Sequence, residues 1–146
     1  MRIPSKHPWS AEDILALGRS YQGAAVLAAA ADLDLFSALS PAPLSAAQLA
    51  GKLECDSRAL MILLDALVAL RLLNKAGNCY SVPPGLDALL TPDGARSVLA
   101  VAQHQGHCLR NWAQLARVVK TGLPAESIPG IRGEGGAQEA FIGAMH

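Results

Sequence analysis

The chain has 146 residues, with 12 basic and 12 acidic side chains and therefore no formal net charge. This length is enough for one domain with a hydrophobic core. The zero net charge excludes a general electrostatic attraction to nucleic acid or to an anionic membrane. Charged residues make up only 16% of the chain, below the roughly 25% of a typical soluble domain. We therefore expect part of the surface to be covered by another subunit or domain.

The cysteines and the apolar runs indicate the compartment. Three widely spaced cysteines form no C-x-x-C pair, which favours free thiols in the cytoplasm: Cys55, Cys79 and Cys108. The longest apolar runs are interrupted at Asp32, Asp65 and Arg71, well short of the ~18 residues of a membrane span. No apolar segment follows the N-terminal MRIPSKHPWS, so neither a signal peptide nor a membrane helix is expected.

The first predicted helix follows a loose arm at residues 1–9. Ser10 is predicted as its N-cap, and Asp13 stands where the partner residue of a capping box is found. The helix is expected over residues 11–31, with a break near one of its glycines, Gly18 or Gly23.

Residues 23–31 of this helix, GAAVLAAAA, are apolar on every face. A helix of this kind must be covered on all sides, so it is either a central core helix or part of a subunit interface. We predict a dimer interface. The candidate interface residues lie on this helix and on the short amphipathic piece after it: Tyr21, Val26, Leu27, Leu35 and Phe36.

Residues 44–82 have the pattern of a winged helix-turn-helix. Ser45 and Gln48 form an S-x-x-Q capping box at the start of the first helix. After a tight turn, Asp56 is predicted to cap a longer helix that runs to about Leu72. The wing is predicted as two strands joined by a turn, at residues 73–75 and 79–82.

Winged helices commonly read DNA with the second helix. Here its outward face is predicted to carry Arg58, Met61, Asp65 and Ala69. Two aspartates of this region offset its two arginines, and the wing offers only Lys75. Phosphate binding needs several basic side chains, so the charges argue against DNA recognition although the shape fits it.

A second segment follows a turn at residues 91–94. One long helix is predicted over residues 95–121, ended by Gly122 and Pro124. Its predicted apolar stripe is Val98, Ala102, Leu109, Trp112, Ala116 and Val119. A loop at residues 123–136 and a last helix at 137–146 complete the chain. Because that helix has no stop signal, we expect a truncated chain.

The predicted fold is therefore mainly α: a winged helix-turn-helix with a small β-hairpin wing, plus long C-terminal helices. Residues 1–92 are predicted to form a winged-helix-like dimerisation domain. Residues 93–146 are predicted to form a helical connector and substrate lid that leads toward an absent cofactor domain.

The clearest polar cluster is H-x-x-H-C at His104, His107 and Cys108, with Asn111 one turn further. Both imidazoles lie on one side of a helix. A zinc site needs three or four ligands, and no other His/Cys cluster completes one, so no metal is expected. The stripe of His104, His107 and Asn111 either lines a pocket or is a partly exposed helical face.

The remaining motifs are weaker. The loop GIRGEGG at residues 130–136 lacks both the preceding strand and the Gly-Lys-Ser/Thr of a nucleotide site, and Arg132 is expected to face solvent. Phe141 and Met145 share one helical face, where they either pack or form the wall of an apolar pocket. We identify no catalytic residue.

Four blocks in order resemble the N-terminal part of small-molecule O-methyltransferases that use S-adenosylmethionine. They are AAADLDLFSAL at 29–39, the winged-helix block at 43–90, NWAQLARVVKTGLP at 111–124 and FIGAM at 141–145. The resemblance is to enzymes of the plant phenolic, hydroxyindole and bacterial polyketide-tailoring type, and it covers the chain from about Ser10 onward.

The resemblance implies a winged-helix-like domain that dimerises by intertwining, followed by a Rossmann-like domain that binds S-adenosylmethionine through a D-x-G-x-G-type loop. This sequence holds no such loop and no counterpart of the family's catalytic His, so no cofactor is expected to bind this chain. His104 and His107 are not assigned that role. Trp112 matches the family's W-x-x-L block, and Phe141 with Met145 matches its F-x-x-A-M block, which lines the acceptor pocket.

Three functions follow as hypotheses. The first is the dimerisation and acceptor-pocket portion of an O-methyltransferase that acts on a small hydroxylated, aromatic or polyketide-like molecule. Such a portion is a homodimer that is not catalytic by itself and binds neither nucleic acid nor membrane. The second is a winged-helix transcription regulator. The third is a stand-alone, non-catalytic dimer.

Overall fold

The computed structural model of the chain describes residues 8–145, so most of the predicted N-terminal arm lies outside the described residues. The helices of the described part are α1 (Ala11–Arg19), α2 (Tyr21–Asp32), α3 (Leu35–Leu39), α4 (Ala46–Leu53), α5 (Ser57–Ala69), α6 (Asp87–Leu90), α7 (Leu99–Trp112), α8 (Leu115–Thr121) and α9 (Gly133–Ala144). The strands are β1 (Leu44–Ser45), β2 (Asn74–Ala76) and β3 (Cys79–Ser81). The predicted fold class, mainly helical with a small wing, is confirmed.

The first two helices start and break close to where the sequence predicts. The Asp13 N–H donates to Ser10 Oγ (3.1 Å) and the Ser10 N–H donates to Asp13 Oδ2 (3.0 Å), which is the predicted capping box. The break falls at Ser20, between the two glycines. Its hydroxyl donates to the Leu17 carbonyl (2.8 Å), a local bond of the kind that competes with the helical ladder.

Taken as one run of 22 residues, Ala11–Asp32 is long and apolar enough to cross a membrane. Counting only uninterrupted apolar stretches missed this run. Its C-terminal half is packed inside the protein, because Ala28, Ala30 and Ala31 are buried and α2 lies against α3, α5 and α7. Packing therefore accounts for the apolar character of that half.

The winged helix-turn-helix forms as predicted. The Ser45–Gln48 capping box starts α4, and the Asp56 carboxylate accepts a hydrogen bond from the Ala59 N–H (2.7 Å) at the start of α5. Helix α5 ends at Ala69, three residues before the predicted Leu72, because the chain turns through a left-handed conformation at Arg71 (φ 60°). The four residues predicted on its outward face are exposed.

The sheet has one strand more than predicted. Its order is β1-β3-β2, with both pairs antiparallel and Leu44 opposite Tyr80. The two residues of β1 carry no strand pattern of their own, so only their pairing with the wing defines them. Strand β1 leads directly into α4 and thus joins the wing to the helix-turn-helix.

One core underlies the winged helix. Its fully buried side chains are large: Leu35, Phe36, Leu39, Leu49, Leu64, Leu67, Leu73 and Tyr80. Leu35 (0% exposed) and Phe36 (1% exposed) of the predicted interface set belong to this core in the single chain. The interface set stays a prediction. Periodicity alone does not separate a core-facing apolar residue from an interface residue.

The predicted long helix over residues 95–121 is wrong, because it is divided into α7 and α8 at Ala113 and Gln114. No Gly or Pro marks the break, and the Gln114 side chain there is bound to the loop segment at Glu126. Most of the predicted apolar stripe is also wrong. Val98, Trp112, Ala116 and Val119 are exposed, whereas the buried face of α7 is Leu99, Ala102, Gln103 and Gly106.

Helix α9 begins at Gly133, four residues earlier than predicted. Gly122 ends α8 in a left-handed conformation (φ 69°), as predicted. Ala31 of α2 packs with Leu99 and Ala102 of α7, so the segments before and after residue 92 share a packed contact. The division into 1–92 and 93–146 stays a prediction.

Candidate functional site

The site is built on α7, which lies between α2 and α9. Its buried residues recur at a spacing of three, one and three, so one face packs against α2. A Cβ on Gly106 would lie 3.2 Å from the Ala28 Cβ, which shows how closely the two helices approach. The Gln103 amide Nε2 donates to the Ala31 carbonyl (3.1 Å). This contact satisfies a carbonyl near the end of α2 and fixes the register of α7.

His104, His107 and Asn111 lie together along α7. The centroids of the two imidazole rings are 6.3 Å apart, and the ring planes are inclined to each other by 24°. His104 Nε2 is 3.4 Å from Cys108 Sγ, and His107 Nε2 is 3.1 Å from Asn111 Nδ2. The Nδ1 atoms of both rings are buried without a hydrogen-bond partner. Buried polar atoms are normally paired, so these two nitrogens are exceptions within the described residues.

Helix α9 contributes Phe141 to the same place. The Phe141 ring lies 5.4 Å from the His104 ring, and its side chain is half exposed. Met145 is 67% exposed and Trp112 is 69% exposed. Trp112 lines a shallow depression with Asn111, Leu115 and Val118 across the α7–α8 break. The structure thus brings together His104, His107, Asn111 and Phe141, and Asn111 also borders the depression that Trp112 lines.

A partly buried ionic group lies beside the histidines, and the sequence patterns did not reveal it. Arg110 Nη1 is 3.9 Å from Asp32 Oδ2, and both residues line a small cavity with His107 and Arg132. The pKa of Asp32 is raised by burial, against the opposing effect of Arg110 and Arg132. Arg132 therefore borders a cavity and does not simply face solvent. Only the tertiary structure brings these residues together, because they lie on three different elements of the chain.

Among the described residues, no group of three His, Cys, Asp or Glu side chains is close enough to hold a metal ion. The thiol of Cys108 contacts His104 instead. The glycines at 130–136 lead from a segment without regular structure into α9, and no strand precedes them. The residues present in the described part therefore do not fit a dinucleotide or S-adenosylmethionine loop.

The wing carries a paired lysine. Lys75 Nζ lies 2.7 Å from Asp65 Oδ1 on α5, and the Tyr80 hydroxyl donates to the same oxygen (2.7 Å). These two hydrogen bonds lower the pKa of Asp65, and the bond to Asp65 raises the pKa of Lys75. The one basic side chain of the wing is thus held by an acid of the supposed recognition helix, so it is not free for phosphate.

An open apolar groove of about 520 Å³ runs between the first half of α2 and the end of α5. Tyr21, Val26 and Leu70 are among its walls. Leu27, the next predicted interface residue, is partly buried against the core. Helix α1, which precedes the groove, buries none of its residues, and Ile14, Leu15 and Leu17 are each more than half exposed.

Comparison with known proteins agrees with this architecture. Residues 15–92 match the O-methyltransferase dimerisation domain. Over 97% of the chain, it is 32% identical to the tetracenomycin polyketide synthesis 8-O-methyl transferase TcmO of Streptomyces glaucescens, of which it covers 44%. Over 77% of the chain, it is 33% identical to the N,N-dimethyltransferase OxyT of Streptomyces rimosus, of which it covers 33%.

The solved structures show the same likeness. Human N-acetylserotonin methyltransferase, in complex with SAM, superposes with a TM-score of 0.72 at 25% identity over 98% of this chain and 46% of that one. The chain thus spans less than half the length of these proteins. From its winged core and the match over residues 15–92, we conclude that the chain belongs to the O-methyltransferase family that carries this dimerisation domain.

Proposed function

We propose that this chain is the dimerisation and acceptor-pocket portion of an S-adenosylmethionine-dependent O-methyltransferase, and that it is not catalytic by itself. The acceptor is a small hydroxylated molecule of aromatic or polyketide-like type, and the complete enzyme acts in the cytoplasm. The observation that carries the proposal is the place where α7 meets α9, here termed the acceptor cleft, at which two imidazoles with unpartnered buried nitrogens meet the half-exposed ring of Phe141.

That cleft suits a planar hydroxylated acceptor for two reasons. An aromatic ring stacks favourably against Phe141 and the His104 imidazole. Each imidazole also offers a nitrogen that can exchange a hydrogen bond with a phenolic hydroxyl, which satisfies an otherwise costly buried atom. In this role the two histidines orient the acceptor. The methyl donor and the base that accepts the hydroxyl proton belong to the part of the enzyme that binds S-adenosylmethionine.

A chimera tests the catalytic side of the proposal. The chain would replace the matching N-terminal portion of TcmO and be joined to the remainder of that protein. We expect methylation of a hydroxylated polycyclic probe, such as 1,8-dihydroxyanthraquinone, in the presence of S-adenosylmethionine, and no methylation by the 146-residue chain alone. A folded chimera that binds S-adenosylmethionine but methylates only an amine probe would overturn the assignment of a hydroxyl acceptor, since one relative is an N,N-dimethyltransferase.

We further propose a homodimer in which α1 of one chain covers the α2–α5 groove of the other. Helix α1 has an exposed apolar face and the groove has apolar walls, so burying them together removes both from water. Tyr21 and Val26 of the predicted interface set lie in this groove, and Leu27 lies behind it. The exposed apolar residues of α1 and the low charge of the chain support this assembly.

Light scattering tests the dimer. The wild-type chain is expected at about twice its 15.2 kDa mass at micromolar concentration. Val26→Asp and, as a milder variant, Tyr21→Asp should reduce this to one chain, because a carboxylate in the groove would lose its hydration. Val119→Asp, the same change at a valine that is 76% exposed on α8, should leave the dimer intact. A wild-type mass of one chain would refute the proposal.

The alternative of a DNA-binding regulator is weakened by the Lys75–Asp65 pair. Gel retardation separates the two functions. We expect no shift of duplex DNA at micromolar protein and low salt, since too few free cations remain for phosphate binding. A salt-sensitive shift would favour the regulator. Reading the coding sequence after His146 distinguishes the third hypothesis, a stand-alone dimer, from the enzyme portion. A strand followed by D-x-G-x-G there would favour the enzyme.

A further inference from the structure

Residues 123–132, here termed the strap, connect α8 to α9 and contain no helix or strand up to the turn that starts α9. The strap is nevertheless bound at regular intervals. Arg110 Nε donates to the Ile128 carbonyl (3.0 Å), and Arg117 Nη2 donates to the Pro124 carbonyl (2.9 Å). Between them, the Gln114 amide both donates to the Glu126 carbonyl (2.9 Å) and accepts from the Glu126 N–H (3.0 Å).

These contacts form a ladder with matched spacing. Arg110, Gln114 and Arg117 are four and three residues apart and lie on one side of the α7–α8 pair. Their partners on the strap are every second residue, in the opposite direction. Two extended residues span about 6.6 Å, and three or four helical residues rise about 4.5–6 Å. The two repeats therefore stay in step over three contacts.

The ladder is also tied to neighbouring elements. Arg117 Nη2 donates to Gln114 Oε1 (3.2 Å), and Arg117 Nη1 lies 3.3 Å from Glu126 Oε1. Arg110 reaches Asp32 at the end of α2. A Cβ on Gly130 would lie 2.9 Å from Arg110 Nη2, so the strap approaches the guanidinium so closely that a side chain there would collide with it.

Helix α9 packs closely on α7, but it does so through small residues. Within the described residues only Ala140 of this helix is buried, at 4% exposed, and a Cβ on Gly143 would lie 2.9 Å from the Ala100 Cβ. A helix that buries few large apolar side chains has low local stability. The strap that leads into α9 therefore adds to the contacts that position it.

We propose that Arg110, Gln114 and Arg117 are positioning residues, which hold the strap and thereby set the distance between α9 and α7. This inference rests on the proposed function, because α9 carries Phe141, the wall of the acceptor cleft. The three residues act through the backbone of the strap and do not contact the acceptor. Their effect is to fix the position of the Phe141 ring, which is half exposed and lies 5.4 Å from the His104 ring, and against which the acceptor packs.

Hydrogen exchange on the full chain without acceptor tests the ladder. Gln114→Ala removes both bonds to Glu126 and should speed exchange in the strap and in α9 by about tenfold or more. Exchange in α3, α4 and α5 should stay unchanged. The matched control is Gln105→Ala, at an exposed glutamine of α7, which should leave every segment unchanged. In Gln114→Glu the carboxylate still accepts from the Glu126 N–H but cannot donate, so that amide should remain protected.

A spectroscopic reading follows the cleft itself. Because the Phe141 ring lies 5.4 Å from the His104 ring, we expect it to shift the proton resonances of the His104 imidazole in the wild-type chain. In Gln114→Ala these resonances should move toward the values of a His104 side chain that has no Phe141 ring beside it. In Gln105→Ala they should keep their wild-type values. The proposal is overturned by unchanged α9 exchange and His104 resonances in Gln114→Ala, by faster exchange throughout the winged core, or by Gln114→Glu exposing the Glu126 amide as Gln114→Ala does. Failure of the chimera to methylate would leave these measurements unaffected.

Discussion

The winged core and the α7–α9 layer are held by different forces. The winged core buries large aliphatic and aromatic side chains, among them Leu64, Phe36 and Tyr80. In the α7–α9 layer most buried positions are small or polar, such as Gly106, Gln103 and Ala140, and Leu99 is the one large apolar side chain buried there among the described residues. Burial of large apolar area stabilises a region against unfolding, whereas close approach and side-chain bonds to backbone fix its geometry. The first region is thus suited to a scaffold and the second to an adjustable pocket.

The largest effect is expected in the winged core. Leu64→Ala removes a side chain that is 0% exposed and should lower the free energy of unfolding by about 2–5 kcal/mol. Ile62→Ala, two residues away on the same helix but 62% exposed, should change it by less than about 0.5 kcal/mol if the position is free. Urea denaturation of both variants measures the difference. Similar losses would mean that Ile62 is covered in the assembled protein.

An intermediate effect is expected where α7 meets α2. Gly106→Leu adds a side chain 3.2 Å from the Ala28 Cβ, which should cost about 1–3 kcal/mol of unfolding free energy through overpacking. Gly135→Leu in α9, where a Cβ meets nothing within 4 Å, should be neutral or stabilising by up to about 1 kcal/mol. If thermal unfolding shows the same change in the free energy of unfolding for both variants, the close approach of α7 to α2 does not stabilise the α7–α9 layer.

The smallest effects concern the pH dependence of stability, which has opposite signs for Asp32 beside the α7–α9 layer and Asp65 in the winged core. Burial raises the pKa of Asp32, so the stability that it contributes is present below its ordinary pKa and is lost as the pH rises through the folded-state pKa. Hydrogen bonds from Lys75 and Tyr80 lower the pKa of Asp65. Its contribution is therefore present above the ordinary pKa and is lost as the pH falls through the lowered one.

Variants at the two positions separate these signs. As the pH rises from acid to neutral, the free energy of unfolding of Asp32→Asn should increase relative to that of the wild type. Over the same pH interval that of Asp65→Asn should decrease relative to the wild type. Melting temperatures across that range provide the measurement. Parallel pH profiles for the two variants would contradict the assignment of burial as the dominant influence at Asp32.

The sequence alone determined several features that depend on residues a few positions apart. The capping boxes at Ser10 and Ser45, the Asp56 cap and the left-handed Gly122 follow from hydrogen bonds and backbone preferences within one turn. The winged-helix order followed from the succession of such local signals, and the family followed from the resemblance of four sequence blocks to it. The charge count also anticipated the weak case for DNA, which the Lys75–Asp65 pair reinforces.

Only the tertiary structure decided the rest. It set the break at Gln114, the pairing of β1 and the ionic contact of Arg110 with Asp32, and it placed Leu35 and Phe36 in the core of the single chain. Each depends on groups far apart in the chain, as in the Gln103–Ala31 bond that joins residues 72 positions apart. A local pattern specifies which face of a helix is apolar, but the partner that covers that face is chosen by packing.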